Sequence, residues 1–277
     1  MLRWRVLTAL VLIPGVLWLV WLAPPALLSV AFAGVAVLGA WEWALLMNLT
    51  SHGSRLAYTF TILIIVFGGW LWLGSGGSAM PVLVVGALWW LVAIAWLVAF
   101  VRNPAKRRPP LLGFALIGAV VLVAFWFAIV ATHDKEAFGS YWVTMLLFLV
   151  WGSDTGGYFA GRTWGRRKLA PRLSPGKTWE GVIGSMILGV LLGGVYYACG
   201  RALGFAPAGT SLIALLGLAL LTIGISIVGD LFESMLKRQR GIKDSGGLLP
   251  GHGGVLDRID GLLAAAPILA LGVRGIS

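Results

Sequence analysis

Long apolar runs, broken at short polar segments, dominate the chain. Residues 6–41 carry no charge, and two prolines at 24–25 divide this run. The next uncharged run, 56–101, is divided by a glycine- and serine-rich segment at 74–78. A helix needs about 20 mostly apolar residues to cross the hydrocarbon core of a membrane. The two runs therefore predict four spanning helices, near 6–22, 26–47, 57–73 and 80–101.

Five further spans are predicted in the rest of the chain. One lies near 110–131, three begin near Gly139, Gly181 and Thr210, and the last ends near Val273. The pattern predicts an all-α, polytopic integral membrane protein with about nine transmembrane helices. We divide it into an N-terminal group of about five spans at 1–135 and a C-terminal region at 136–277 that carries the polar loops.

The positive charges test this count. If nine spans alternate across the membrane, all but three of the 21 Lys and Arg residues fall on one side; the exceptions are Lys135, Arg201 and Arg274. Cytoplasmic loops carry the excess of basic residues, so the N-terminus is predicted to be cytoplasmic. The first apolar run also resembles a signal peptide, but more apolar runs follow it, which favours a retained span.

Composition excludes a soluble globular domain. Hydrophobic residues make up 59% of the chain and charged residues 11%, whereas soluble domains carry about 25% charged residues. The net charge of +11 is concentrated on the predicted cytoplasmic face. It fits two interpretations that are compatible: topology and attraction to anionic lipids, or a basic entrance for anionic substrates.

The acidic residues are concentrated in the C-terminal region, whereas the first 130 residues hold only Glu42. The apolar runs of the sixth and ninth spans, 141–151 and 261–273, are too short to cross a membrane. The sixth helix must therefore include Asp154, and the ninth must include Asp257 and Asp260; the eighth runs into Asp230. Acids inside spans usually mark a functional site. Clustered carboxylates favour a divalent cation such as Mg²⁺, and pairing with nearby Lys or Arg is the alternative.

The stretch 234–260 holds the most informative pattern. It contains Ser234, Lys237, Arg238, Lys243 and Asp244, then Pro250, His252, Gly253 and Gly254, then Asp257, Arg258 and Asp260. This pattern resembles the signature of the phosphatidate cytidylyltransferase family, S-x-apolar-K-R, K-D and P-x-H-G-G-apolar-x-D-R-apolar-D, with every fixed position filled. Segments 151–162 (WGSDTGGYFAGR) and 174–178 (SPGKT) resemble the same family. The resemblance covers roughly 140–275.

The resemblance implies a nucleotidyltransferase of phospholipid biosynthesis. It would transfer the cytidylyl group of CTP to phosphatidate, giving CDP-diacylglycerol and pyrophosphate. It implies Mg²⁺, with a second cation left open, and CTP, phosphatidate and membrane lipids as partners; a homodimer is left open and nucleic acid is not expected. The expected location is the bacterial cytoplasmic (inner) membrane, multi-pass, with the active site in the C-terminal region and facing the cytoplasm.

The site residues follow from the carboxylates and from the resemblance together. The catalytic candidates are Asp230, Asp257, Lys237 and Arg258. The substrate-binding candidates are Ser174, Lys177, Thr178, Ser234, Arg238, Lys243, Asp244, His252, Gly253 and Gly254. The candidate metal ligands are Asp230, Asp257, Asp154 and Asp260.

Local spacing gives several of these residues a physical role. Asp230, Ser234 and Lys237 share one helical face. The segment 174–178 is predicted to be a turn before a helix that holds phosphate through backbone N–H groups and Lys177. It is not a P-loop, because Pro171 stands where that motif requires glycine. Thr178 as a helix cap and the imidazole of His252 in a structural hydrogen bond are the alternatives.

Three other functions compete with this interpretation. A CTP-linked lipid kinase relative would lack the full signature, and a CDP-alcohol phosphatidyltransferase would need an arginine where Ala265 stands. A transporter would suit nine spans with intramembrane acids. It would show repeat symmetry and acids near the midplane, whereas these acids lie near the predicted cytoplasmic edge.

Overall fold

The computed structural model describes residues 2–103, 109–135, 138–248 and 253–276, with side chains described from Leu10 onward and not at Lys135. The described residues form nine helices: α1 Leu2–Trp21, α2 Pro25–Leu46, α3 His52–Gly74, α4 Met80–Arg102, α5 Leu111–Lys135, α6 Gly139–Thr163, α7 Trp179–Leu203, α8 Leu212–Arg240 and α9 Leu256–Ile276. A short hairpin, β1 Lys168–Ala170 and β2 Ser174–Thr178, joins α6 to α7. The predicted helical fold is confirmed, including the entry of Asp257 and Asp260 into the last helix.

Seven of the described helices are long and apolar enough to cross a membrane, namely α2 to α5 and α7 to α9. In α1 the described apolar stretch, Leu10–Trp21, is shorter than a span. The 25-residue α6 carries Asp154 and Arg162 in its last turns. The polytopic class is therefore confirmed, whereas nine as the number of spans and the cytoplasmic N-terminus stay predictions.

The segment 174–178 corrects one expectation, because it is a strand and not a turn. It pairs antiparallel with β1, with Lys168 opposite Thr178 and Ala170 opposite Ser174. The turn lies earlier, where the backbone N–H of Leu173 donates to the carbonyl of Ala170 at 3.0 Å. The side chains of Ala170 and Leu173 are both buried. Their burial anchors the hairpin, which is the one sheet among the described residues.

Helices α6 and α7 pack through glycines. A Cβ atom at Gly156 would stand 2.3 Å from the carbonyl oxygen of Gly184, so only glycine allows the two backbones to approach this closely. One turn away, the Ser185 hydroxyl donates to the carbonyl oxygen of Ser153 at 2.7 Å. Small residues and interhelical hydrogen bonds are the usual basis of helix association in membranes. This contact holds the end of α6, with Asp154, against the start of α7.

Helices α8 and α9 meet through a second close approach. A Cβ atom at Gly229 would lie 2.4 Å from the carbonyl oxygen of Asp260. Asp230, the next residue on α8, is thereby brought opposite the first turns of α9. Helix α5 is buried on all sides from Val121 to Ala131, as expected of a helix at the centre of a bundle.

Candidate active site

A cavity of about 640 Å³ lies where α6, the hairpin, α7, α8 and α9 meet. Ligand-binding pockets typically measure about 300–1,000 Å³. Its polar lining comprises Asp154, Arg162, Ser174, Lys177, Thr178, Ser185, Asp230, Asp257, Arg258 and Asp260, and its apolar lining includes Tyr158, Leu169, Val182 and Ile227. The cavity therefore gathers the three segments that the sequence singled out, 151–162, 174–178 and 234–260.

The hairpin places Lys177 in the cavity. Its ammonium forms an ion pair with Asp230, and both side chains remain about a quarter to a third exposed. The Ser234 hydroxyl, one turn along α8, donates to Asp230 Oδ1 at 3.4 Å, which confirms the predicted shared face. A cation and an anion thus stand side by side in a partly open site.

Asp257 is held from three directions at the start of α9. Its Oδ1 atom accepts from the Lys237 ammonium at 2.6 Å. Its Oδ2 atom accepts from the backbone N–H groups of Ser245 at 3.0 Å and Gly254 at 2.8 Å. Lys237 also lies 3.5 Å from Glu233 Oε1, and it does not line the cavity as far as the structure describes it. Lys237 therefore orients Asp257 from the side that faces away from the cavity.

Of the remaining substrate-binding candidates, Thr178 and Arg238 form structural hydrogen bonds, whereas Lys243 and Asp244 lie outside the described lining of the cavity. Thr178 is buried, and its hydroxyl accepts from Gly181 N at 3.1 Å, so it caps α7. Arg238 donates to the carbonyl oxygen of Leu173 at 3.2 Å and joins α8 to the hairpin. In the described lining neither Lys243 nor Asp244 appears, and both are exposed.

The glycines and the histidine of the signature complete this set. Gly253 has a φ of +81°, which glycine adopts without strain, and Gly254 supplies the N–H group to Asp257. His252 lies outside the described residues, so its predicted role stays a prediction.

Four aspartates of the site are candidate metal ligands: Asp154, Asp230, Asp257 and Asp260. No three His, Cys, Asp or Glu side chains among the described residues converge closely enough to hold a metal by themselves. Mg²⁺ usually takes only one or two protein carboxylates and completes its shell with water and substrate phosphates. Asp154, Asp230 and Asp260 all line the cavity and provide oxygen ligands of that kind. Asp257 accepts three hydrogen bonds and its side chain is 9% exposed, against 30% for Asp230, so it fits this role less well.

One residue that supports the site was not singled out from the sequence. Glu42 on α2 is 1% exposed, and its carboxylate accepts from the Ser245 hydroxyl at 3.0 Å, Val255 N at 3.0 Å and Leu256 N at 2.8 Å. It therefore contacts Ser245 in the connection between α8 and α9, and also the start of α9. The available signal was its isolation, since it is the one acid in the first 130 residues.

Comparison with known proteins identifies the family of the chain. The sequence model of the cytidylyltransferase family matches residues 3–274. A Pseudomonas aeruginosa protein named phosphatidate cytidylyltransferase is 40% identical over 98% of this chain and 96% of its own length. Proteins of the same name from Haemophilus influenzae and Brucella suis are 36% and 39% identical, over 98% of this chain and 98% and 92% of their own lengths. The chain therefore belongs to the cytidylyltransferase family.

Proposed function

We propose that the chain is a phosphatidate cytidylyltransferase, which transfers the cytidylyl group of CTP to phosphatidate and releases pyrophosphate. The observation that carries this function is the single cavity in which three separate polar segments meet, in a chain whose relatives of that name match it along nearly their whole length. The product is CDP-diacylglycerol, a precursor for phospholipid biosynthesis.

The lining suits two anionic substrates of different polarity. Lys177, Arg162 and Arg258 provide positive charge for phosphate oxygens, and arginine in particular matches phosphate with paired donors. Val182 and Ile227 provide apolar surface in the same cavity, which suits the glycerol and acyl part of a lipid. The cavity therefore has chemistry for both a nucleoside triphosphate and a phospholipid.

The reaction joins two phosphates and needs little proton transfer. An oxygen of the phosphatidate phosphate attacks the α-phosphorus of CTP, a new P–O bond forms, and the bond to the β-phosphate oxygen breaks. A phosphate monoester has a second pKa near 6, so the nucleophile is already largely dianionic at neutral pH and no enzyme base is required. Catalysis then rests on positioning and charge neutralisation. In that step Lys177 and Arg258 would hold the phosphates close together despite their repulsion.

We propose that Asp154, Asp230 and Asp260 hold Mg²⁺ together with substrate phosphates. When bound, the cation would offset negative charge on the triphosphate and on the leaving pyrophosphate. Magnesium titration of Asp230→Asn tests the assignment, with a several-fold increase in the half-saturating Mg²⁺ concentration expected. An unchanged titration curve would remove Asp230 from the ligand set. The prediction that Asp257 is a ligand remains, although Lys237 and two backbone N–H groups already engage it.

The proposed function is tested by product formation from labelled CTP and phosphatidate with Mg²⁺. We expect CDP-diacylglycerol from the wild type and an increase of about tenfold or more in KM for CTP in Lys177→Met, since one phosphate-binding cation is lost. Lys168→Met is the matched control, because Lys168 is an exposed lysine on the same hairpin. A folded wild type that makes no product from several nucleotides and lipids would contradict the function and favour the lipid-kinase or transporter alternatives.

We propose that the protein lies in a bacterial inner membrane with the cavity facing the cytoplasm. The bacterial relatives support the inner membrane as the location, and the distribution of basic residues supports the orientation. Single cysteines in a Cys199→Ser background test it. Lys243→Cys should react with a membrane-impermeant thiol reagent only in inside-out vesicles, and Gly209→Cys only in intact cells whose outer membrane is permeable. The reverse pattern would invert the topology.

A further inference from the structure

The loop before α9 is fixed by a residue from the opposite end of the chain. Glu42 lies on α2, among the spans whose role the site itself does not explain. Its three hydrogen-bond partners are 203 to 214 residues away in the sequence. Each partner is a donor, and the two carboxylate oxygens have enough acceptor capacity for all three at once.

The contact is tight at both ends of the loop. A Cβ atom at Gly246 would stand 2.4 Å from Glu42 Oε1, and a Cβ atom at Gly254 would stand 2.4 Å from Oε2. Glycine at these two positions therefore lets the loop backbone lie against the carboxylate. Two of the three donors are N–H groups at the N-terminus of α9, where the helix dipole favours a negative charge.

Glu42 and Asp257 hold the same loop from its two sides. Ser245 donates its hydroxyl to Glu42 and its backbone N–H to Asp257. On the other arm of the loop, Gly254 N–H donates to Asp257, and the next two N–H groups, of Val255 and Leu256, donate to Glu42. A shift of either carboxylate therefore moves the other through the shared backbone.

The end of α2 is itself fixed to the catalytic region. The Arg240 guanidinium, at the end of α8, donates to the carbonyl oxygen of Leu45 at 3.3 Å. Helix α2 is thus bound to α8 at one point and to α9 at another. Helix α2 therefore contacts both α8, which carries Asp230, and α9, which carries Asp260.

We infer that Glu42 is a positioning residue for the transfer reaction. It fixes Ser245, Val255 and the first turn of α9, so that Asp257, Arg258 and Asp260 face the cavity. The inference rests on the proposed function for its consequence in catalysis, but not for the contact itself. It gives α2, one of the N-terminal spans, a role, because α2 carries the carboxylate that accepts these hydrogen bonds from the C-terminal region.

Glu42→Gln tests the inference with little change in shape. The amide can keep one acceptor at the Oε2 position, but its NH₂ group then faces the Val255 N–H, which loses its partner. We expect kcat/KM for CTP, per folded molecule, to fall about 10- to 100-fold, as misplacements of about 1 Å do in other enzymes. Glu42→Asp, which keeps the charge on a shorter side chain, should fall between Gln and wild type.

Trp43→Phe is the matched control. It removes a buried hydrogen bond of the neighbouring residue, from Trp43 Nε1 to the carbonyl oxygen of Phe114 at 3.1 Å, which joins α2 to α5 and not to the loop. A role in stability alone would lower the folded fraction in both variants and leave KM for CTP unchanged. Equal kinetic losses in Glu42→Gln and Trp43→Phe, or wild-type kinetics in Glu42→Gln, would overturn the inference.

Ser245→Ala carries the test if Glu42→Gln does not fold. It removes only the hydroxyl donor to Glu42 and leaves the backbone bond to Asp257. A rise in KM for CTP of about 2- to 10-fold, the range for one lost hydrogen bond, at an unchanged folded yield supports the inference. A wild-type KM overturns it.

Limited trypsin digestion gives a reading that does not depend on activity. Lys243 is exposed beside the loop, and release of the loop should speed cleavage after it. We expect Glu42→Gln to be cut at least tenfold faster than wild type and Trp43→Phe, and equal rates would overturn the inference. If the wild type made no CDP-diacylglycerol, the proposed function would fail, and this digestion would still decide the role of Glu42 in holding the loop.

Discussion

The Lys237–Asp257 pair allows a quantitative test of how the site is held. Their side chains are 11% and 9% exposed, and the ammonium lies 2.6 Å from Oδ1. Removing one partner of a buried ion pair typically destabilises a protein by about 3–5 kcal/mol. In Asp257→Asn the ammonium keeps Glu233 at 3.5 Å, so we expect the lower end of this range, about 3 kcal/mol.

Lys237→Met should cost a similar amount for a different reason. Asp257 keeps its two backbone donors, but Glu233, which is 3% exposed, loses its neighbouring cation. In the double variant, the amide that replaces the Asp257 carboxylate no longer faces a buried cation, so the two losses should not add. We expect a coupling free energy of about 2 kcal/mol, within the range for residues in direct contact.

The assay is equilibrium unfolding in mixed detergent micelles, followed by tryptophan fluorescence. The wild type, both single variants and the double variant form the cycle. Lys168→Met serves as the control, because an exposed lysine outside such networks should change stability by less than about 0.5 kcal/mol. Additive losses, with a coupling free energy below about 0.5 kcal/mol, would show that Lys237 does not hold Asp257 in the way the geometry indicates.

Three further predictions concern the supports of the cavity. Gly229→Ala should lower the melting temperature and the activity, because its Cβ would stand 2.4 Å from the Asp260 carbonyl oxygen. Gly224→Ala is the control and should leave both close to wild type, because the nearest atom to its Cβ would be 3.6 Å away. Equal behaviour of the two variants would contradict the packing. Thr178→Ala should lose about 1 kcal/mol of stability as a lost helix cap and Thr178→Ser almost none, measured by thermal unfolding; equal losses would contradict the cap. Arg238→Gln should raise KM for CTP, since the hairpin loses its bond to α8, and a wild-type KM would show that this bond is dispensable.

Reasoning from the sequence succeeded where contacts are local or the pattern is long. The apolar runs predicted the helices to within a few residues at most ends, because burial in a membrane demands length and low charge together. Helical spacing placed Ser234 beside Asp230, and the structure confirms the contact at 3.4 Å. The short apolar runs of α6 and α9 indicated that Asp154, Asp257 and Asp260 lie inside helices, and they do.

It failed where a segment's structure depends on its pairing partner or on contacts far apart in the chain. Proline and glycine at 175–176 favour a turn by propensity, but the neighbouring β1 pairs with this segment and holds it as a strand. The role of Glu42 could not be derived, because its partners lie more than 200 residues away and no local pattern connects them. For the same reason, spacing alone could not show that Lys237 is turned to Asp257 and not toward the cavity.

The long separation between Glu42 and its partners has a consequence for biosynthesis. Ribosomes add roughly 5–20 residues per second, so α2 leaves the ribosome about 10–40 s before Ser245, which follows it by 203 residues. During that interval a carboxylate destined for burial has none of its final donors, and only synthesis of Ser245 and the start of α9 supplies them. Burial of Glu42 in the early spans therefore has to wait for α9. A nascent protein that stops after Arg240 should present an uncompensated acid to the membrane and be degraded faster in a pulse-chase experiment than one that reaches α9.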